Sequence, residues 1–408
     1  MRYLLSLLIL AVIPLPLAAG AAADLNPTLT IGIFAGSGLT ACTVSGRAPI
    51  TIADEEGRQL AELPAGAPIE AKADDGKVAV SCERPHGGGT AAQYVFASSL
   101  PIEIKPENGK ARSYRGQIAI SVQDGRLRLI NRIALEDYLR GVLPSEIPSS
   151  FAREALRAQA IAARTYAIMS ARKHASAGFG LCDGPHCQVY LGVTEESPST
   201  DAAVRDTTGL VVTYQHKLIY AVYHDSCGGR TAGNETAWQG SDPLPYLRPV
   251  PDTEGGGALC DRSPRNVWRR QIPQSKLAAA LVKFKVAAPM TAIEAASTDA
   301  NGRPQEYTVR GAQGDVTIRA GVLRDTVNRA LGPTTLPSAD FTAAPNGDSF
   351  VFAGRGSGHG VGLCQWGANA MAKAGRTAQQ ILTHYYTGAS VEPISAEVAS
   401  RVGVRGSG

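Results

Sequence analysis

One carboxylate, Glu146, stands framed by Leu143-Pro144 and Ile147-Pro148 immediately before a long Ala-rich helical run. Prolines on both sides restrict the backbone, and apolar neighbours give poorly hydrated surroundings that push a carboxyl pKa upward. That is the setting of a general acid, although a lone Glu near a helix start is also an ordinary solvated N-terminal charge. A second constellation is His174, Cys182, His186 and Cys187, close enough in sequence to hold a tetrahedral zinc through imidazole and thiolate. The same residues are equally compatible with a Cys182–Cys187 disulfide in an exported chain. Two Gly-rich loops complete the inventory. YHDSCGGRTAGNETAW carries His224, Ser226, Thr231 and Trp238, polar and aromatic groups suited to binding at a sheet end. GRGSGHGVGLCQWGANAMAKAG has glycine at 354, 356, 358, 360 and 362, which permits close backbone approach. A nucleotide-binding reading of that loop fails, because no acidic residue follows at dinucleotide-fold spacing.

The elements that must position these groups read as follows. Ser149 and Ser150 are N-cap candidates for the helix, Glu154 suits its first turn, and the helical pattern runs unbroken to about Gly178. Ala155, Ala158, Ala160, Ala162 and Ala163 would admit close approach of a backbone or ligand, and Arg157 and Arg164 share one face as a positive stripe. Upstream, Ile118, Ile120 and Val122 alternate, Asp124-Gly125 turns, and Leu127 and Leu129 alternate again, a hairpin leading into the Glu146 segment. Residues 27–105 read as a small β-rich, SH3-like module with His86 in a loop, and a second unit begins near Ser113 and extends to 390. A further hairpin covers Gly209 to Gly229. Residues 267–341 read as an inserted α+β subdomain, and 391–408 as a flexible tail. The fold class is therefore α+β: a mixed β-sheet core, one long helix at the site, an insert and an N-terminal β module.

Residues 1–23 combine Arg2, an apolar run from Leu4 to Leu17 and small residues ending near Ala23, the pattern of a secretory signal peptide. The expectation is an exported protein of the periplasm, cell wall or extracellular space. The net charge of +4, less Arg2 on cleavage, is a mild excess without the basic tract that nucleic-acid binding demands. Seven cysteines leave at least one outside any pairing; Cys42–Cys82 and Cys227–Cys260 are the plausible bridges.

The ordered set EDYLRGVLPSEIP, EALRAQAIAARTYA, CQVYLG, YHDSCGGRT, GHGVGLCQWGA and ILTHYYTG resembles the SpoIID/LytB family of stage II sporulation protein D and amidase enhancer, over roughly Ser113 to Ser390. The resemblance implies a lytic transglycosylase acting on peptidoglycan glycan strands stripped of their stem peptides, with no cofactor required. It implies that Glu146 is the catalytic acid and that Arg157, Gln159, Arg164 and Tyr166 lie at the groove, with Ser226, Thr231, His359 and Gln365 as further candidates. Some members carry zinc near the groove, for which His174, Cys182, His186 and Cys187 are the matching residues. Cys364 stands where many relatives have serine. Two other readings remain: a non-catalytic wall-binding partner that enhances a cell-wall amidase or another wall-remodelling protein, and a hydrolytic muramidase. The latter requires a second carboxylate, with Glu136, Asp137 and Asp225 as candidates.

Overall fold

The chain folds as a mixed α+β protein whose strands are laid down from both ends of the expected N-terminal module. The computed structural model describes residues 26–82, 88–238 and 240–395; the expected signal peptide, residues 1–23, and His86 lie outside the described residues. Among the described residues ten strands precede the central hairpin: β1 (Thr28–Ile33), β2 (Ala41–Gly46), β3 (Ile50–Ala53), β4 (Gln59–Leu63), β5 (Ile69–Asp74), β6 (Lys77–Cys82), β7 (Gly88–Ala91), β8 (Gln93–Ala97), β9 (Ile102–Pro106) and β10 (Arg112–Tyr114). The hairpin is β11 (Gln117–Gln123) and β12 (Arg126–Ala134), and a short β13 (Leu181–Cys182) follows later. Asp124 and Gly125 both take positive φ, 52° and 71°, as a two-residue hairpin turn requires.

The boundary expected near Ser113 is not a structural one. β1 pairs antiparallel with β12 from Thr28↔Ala134 to Ile33↔Leu129, and β8 pairs with β11. One seven-stranded sheet therefore runs β13-β1-β12-β11-β8-β3-β4, and a six-stranded sheet runs β10-β9-β2-β5-β6-β7. Alternating residues of both, among them Ile31, Val44, Ile69, Val78, Phe96 and Ile120, bury their side chains in one core. The expected Cys42–Cys82 bridge does not form. Cys42 pairs with Ala71 on β5, and Cys82 lies on β6, the strand beyond it. Two strand spacings, roughly 9–10 Å, exceed the reach of a disulfide.

Helix α1 (Leu135–Glu146) follows β12 directly, and Leu135, Tyr138, Leu139, Val142 and Leu143 form its buried stripe. Pro144 sits in its last turn, and the Ile147 N–H closes on the Leu143 carbonyl at 3.0 Å. Ile147 is extended, as a residue before proline prefers, so the helix stops at Glu146. Helix α2 (Arg153–Met169) begins later and ends sooner than its sequence pattern suggests. Ser149 and Ser150 do not cap it; its N-cap is Ala152, whose N–H donates to Asn369 Oδ1 at 2.9 Å. The alanines of α2 offer no face to a ligand. Ala155, Ala158, Ala160, Ala162 and Ala163 are all fully buried beneath α1, α3 (Pro198–Asp206), the helices Gln365–Lys373 and Ala378–Tyr385, and the strand Leu210–Tyr214.

The insert is a unit with its own core, built on Trp268, Leu277, Tyr307, Leu323, Phe341, Phe350 and Phe352. It extends past the expected boundary of 341, because the strand Ser349–Arg355 lies between Val267–Pro273 and Asp340–Asn346. Arg303, 2% exposed, joins it to the main core: its Nη1 donates to the carbonyls of Cys227 and Arg230 at 2.9 and 3.0 Å. Gly360 is required opposite, since a Cβ there would lie 2.5 Å from that guanidinium and its φ is +82°. The expected tail does not begin at 391, since Ser390–Pro393 is a strand paired with Leu210–Thr213; residues 396–408 of that expectation lie outside the described residues. Among the described residues no helix is long and apolar enough to cross a membrane.

Candidate active site

Glu146 is the last residue of α1, so its carboxyl lies at the negative end of a helix dipole and next to buried apolar groups. Burial pushes its pKa up from 4.5 to about 7, partly opposed by the Val189 N–H, which donates to Oε1 at 2.5 Å. No neighbouring charge enters the causes of that shift. The Glu146 carbonyl is fixed as well, accepting from Gln365 Nε2 at 3.1 Å. Gln365 also donates to Gln159 Oε1 at 3.4 Å, and both glutamines are buried. They set the backbone behind the acid and do not face a ligand. Beside them, Phe151 and Trp366 meet edge to face at 4.9 Å, with Trp366 partly exposed.

The segment after Cys187 links this acid to the second constellation. Gln188 is fully buried, receives the Tyr138 hydroxyl at 3.3 Å and donates to the Tyr223 hydroxyl at 3.0 Å. Cys187 itself lies 3.3 Å from His174 Nε2, and His174 Nε2 lies 3.2 Å from His186 Nδ1. Cys182 Sγ completes the group at 3.9 Å from His186 Nδ1, and one ligand atom of each residue falls within 4.8 Å of the others. The Cys182 thiol is drawn down to about 4 by the hydrogen bond from Cys187, the Gly184 amide and the two imidazoles, while Cys187 moves up. Neither forms a disulfide. Two soft thiols and two imidazoles converging on one point are a donor set that fits tetrahedral zinc.

The arginine stripe does not belong to the site. Arg157 and Arg164 share a face of α2, but Gln159 is two residues from Arg157, about 160° around a 3.6-residue helix, and Tyr166 is likewise two from Arg164. Gln159 and Tyr166 face the Glu146 side; the arginines face away. Arg164 is 0% exposed and clamps Glu136 with bonds of 2.8 and 2.7 Å, its remaining donors going to Thr207, Leu210 and Val204. Arg157 pairs with Glu154 at 2.9 Å. One cation beside Tyr166 is passed over by sequence patterning. Lys173 is exposed, and its Nζ lies 3.3 Å from the Tyr166 hydroxyl and 2.6 Å from the His186 carbonyl.

The loop residues divide in the same way. Thr231 Oγ1 accepts the Val250 N–H at 2.8 Å and is buried, holding its own loop. Ser226 is buried, with its hydroxyl on Asp225 at 3.2 Å and its backbone bridged to Ser357. His359 lies between His224 and Trp238, with ring centroids at 5.5 and 5.2 Å, and burial together with the Arg324 and Arg303 charges pushes its pKa down to about 3. It is therefore a neutral imidazole. None of the muramidase candidates faces Glu146 as a free partner. Glu136 and Asp137 begin α1, about 15 Å of helix from its end. Asp225 is committed to Trp366 Nε1 at 3.2 Å and to the hydroxyls of Ser226 and Ser263.

The family model described as stage II sporulation protein SpoIID matches residues 123–214, which span β12, α1, α2 and both chemical constellations. The chain is 30% identical to an uncharacterized protein of Brachyspira hyodysenteriae over 281 residues, 68% of this chain and 72% of that protein. It is 29% identical to stage II sporulation protein D of Bacillus subtilis over 323 residues, 74% of this chain and 87% of that protein. The amidase enhancer of Bacillus subtilis is 29% identical over 291 residues, 62% of this chain but 40% of the enhancer. With a family-model match that takes in β12, α1 with Glu146, and α2, and a relative 30% identical over 68% of the chain and 72% of its own length, the chain belongs to the SpoIID family.

Proposed function

We propose that this chain is an exported lytic transglycosylase that cleaves the β-1,4 bond between MurNAc and GlcNAc in peptidoglycan glycan strands, leaving 1,6-anhydro-MurNAc ends. The observation that carries this reading is a single enclosed carboxyl with a pKa of about 7 and no second free carboxylate facing it among the described residues. A hydrolase of the usual kind needs two carboxylates; a transglycosylase needs one, because the sugar's own C6 hydroxyl replaces water. Protonated Glu146 donates to the glycosidic oxygen, and the resulting carboxylate takes the C6 hydroxyl proton as the anhydro ring closes. The Val189 N–H stabilises that carboxylate without fixing it in the ionised form. Intramolecular attack adds the advantage of proximity.

Strands stripped of stem peptides expose the lactyl carboxylate of each MurNAc. Lys173, beside Tyr166, is the cation placed to meet it, in place of the buried Arg164. Zinc held by His174, Cys182, His186 and Cys187 would act structurally, fixing the Cys187–Val189 segment that delivers the amide to Glu146.

The test is mass spectrometry of denuded strands after incubation with the wild-type protein and with Glu146→Gln. Anhydro ends from the wild type, reduced at least 10²-fold in the variant, are expected from loss of a positioned acid/base. Reducing ends would mean a hydrolase. Strand binding without cleavage by either protein would replace this reading with a non-catalytic enhancer of an amidase, in keeping with the match to the amidase enhancer.

A further inference from the structure

A second group of metal-binding side chains lies outside the site just described. Cys227, Asp252, Cys260 and Cys364 come from four separate segments, and all four are 0% exposed. One ligand atom of each lies within 4.8 Å of the others. Spacing in the sequence suggests a Cys227–Cys260 disulfide, but their sulfurs stand 3.8 Å apart and are not bonded. That separation is the edge of a tetrahedron around zinc: with Zn–S of about 2.3 Å, two thiolates sit roughly 3.8 Å from each other. A disulfide would also leave the third thiol beside a fully buried carboxylate whose Oδ2 has no cation, the nearest, His384 Nε2, lying 3.8 Å from Oδ1 on the other side.

The surroundings are those of a thiolate site. The Gly228 N–H donates to Cys260 Sγ at 3.3 Å, the Gly229 N–H to Cys227 Sγ at 3.3 Å, and the Gly367 N–H to Cys364 Sγ at 3.4 Å. Cys364 is also the N-cap of the helix Gln365–Lys373, where the dipole favours a negative sulfur. The carboxylate is oriented from behind: Asp252 Oδ1 accepts the Tyr385 hydroxyl at 2.7 Å, while Oδ2 faces Cys227 Sγ at 2.9 Å. Outer-shell bonds of this kind fix ligands in metal centres. Space for the carboxylate depends on Gly367, where a Cβ would lie 2.5 Å from Asp252 Oδ2 and 2.2 Å from the Tyr385 hydroxyl oxygen.

We propose that Cys227, Asp252, Cys260 and Cys364 form a second, structural zinc site. With four protein ligands and no exposed position, it is closed to substrate. It ties the Ser226 loop and the Cys260 turn to the helix whose first residue, Gln365, holds the Glu146 backbone. The inference does not depend on transglycosylase activity.

The test is metal analysis of the exported full chain with the first constellation removed by Cys182→Ser and Cys187→Ser. About one zinc per chain is expected to remain, and adding Cys364→Ser should lower it at least tenfold. A folded first-site variant without metal overturns the proposal. Peptide mapping of the unreduced wild-type protein gives a readout that does not rely on variants folding. In the native protein Cys227, Cys260 and Cys364 should become alkylated only once a chelator is added, since the metal and the fold hold each other in place; a Cys227–Cys260 linked peptide, or alkylation that a chelator leaves unchanged, overturns it.

Discussion

At the scale of single residues, Glu146 makes the strongest demands on the fold. Its folded pKa of about 7 lies above its ordinary 4.5, so folding favours the protonated carboxyl. The stability linked to that proton is fully present below about pH 4.5 and is lost as pH rises through about 7. Glu146→Gln keeps an oxygen for the Val189 amide and removes the titration. It should unfold like the wild type near pH 4.5 and be more stable by about 1–3 kcal/mol at pH 8, read from denaturant midpoints. A variant equally destabilised at both pH values would mean that the carboxyl is solvated. With Glu146 as the proposed proton donor, the same titration sets the alkaline limb of the pH profile: kcat/KM on denuded strands should fall as pH rises above about 7. For Lys173, an exposed cation, Lys173→Gln should weaken binding of denuded strands about 2–5-fold at low salt and much less at high salt. Unchanged binding at low salt would remove it from the groove. Glu146 was legible in sequence because two prolines and their apolar neighbours act locally. Lys173 was not, because its place depends on where the chain turns after α2.

Among elements, α2 shows what periodicity can and cannot say. The spacing of Arg157 and Arg164 correctly puts them on one face, but a helix covered on nearly every side offers no solvent face for a stripe to occupy. The start of α2 was also illegible, since the acceptor for the Ala152 N–H is Asn369, far along the chain. The two arginines differ sharply in what their loss should do. Arg164→Ala leaves Glu136 without its buried cation and removes the bonds to Thr207, Leu210 and Val204, and breaking such a pair costs about 3–5 kcal/mol. Arg157→Ala loses one partly exposed pair and should cost at most about 1 kcal/mol. Chemical denaturation distinguishes them; a stable Arg164→Ala protein with weakened glycan binding would restore that residue to the groove. The cysteines carry the same lesson. The spacing of Cys227 and Cys260 is consistent with a pair, whereas the fold assembles a group of four there, because Asp252 and Cys364 reach them only through tertiary packing.

For the whole molecule, the decisive fact is that the N-terminal strands complete the sheet from which α1 emerges. The α+β class, the β11–β12 hairpin and the insert were readable from local alternation and turn residues, but β1↔β12 and β8↔β11 are pairings between distant segments that no local pattern encodes. If residues 26–112 were an independent module, a chain beginning at Ser113 would keep its thermal transition. The sheet argues otherwise. Removing β1 alone strips Leu29, Ile31 and Ile33, each at most 2% exposed, from the core. At about 1.5–3 kcal/mol per buried aliphatic side chain, that loss is roughly 5–9 kcal/mol, comparable with the entire stability of an ordinary domain. It also frees two edges of β-sheet and leaves Leu135 without the Pro27 carbonyl that its N–H meets at the start of α1. The truncated chain should therefore show no cooperative unfolding by calorimetry and no strand cleavage. A truncated protein that melts cooperatively and still generates anhydro ends would show that the N-terminal strands are an accessory to the Glu146 site and not its foundation.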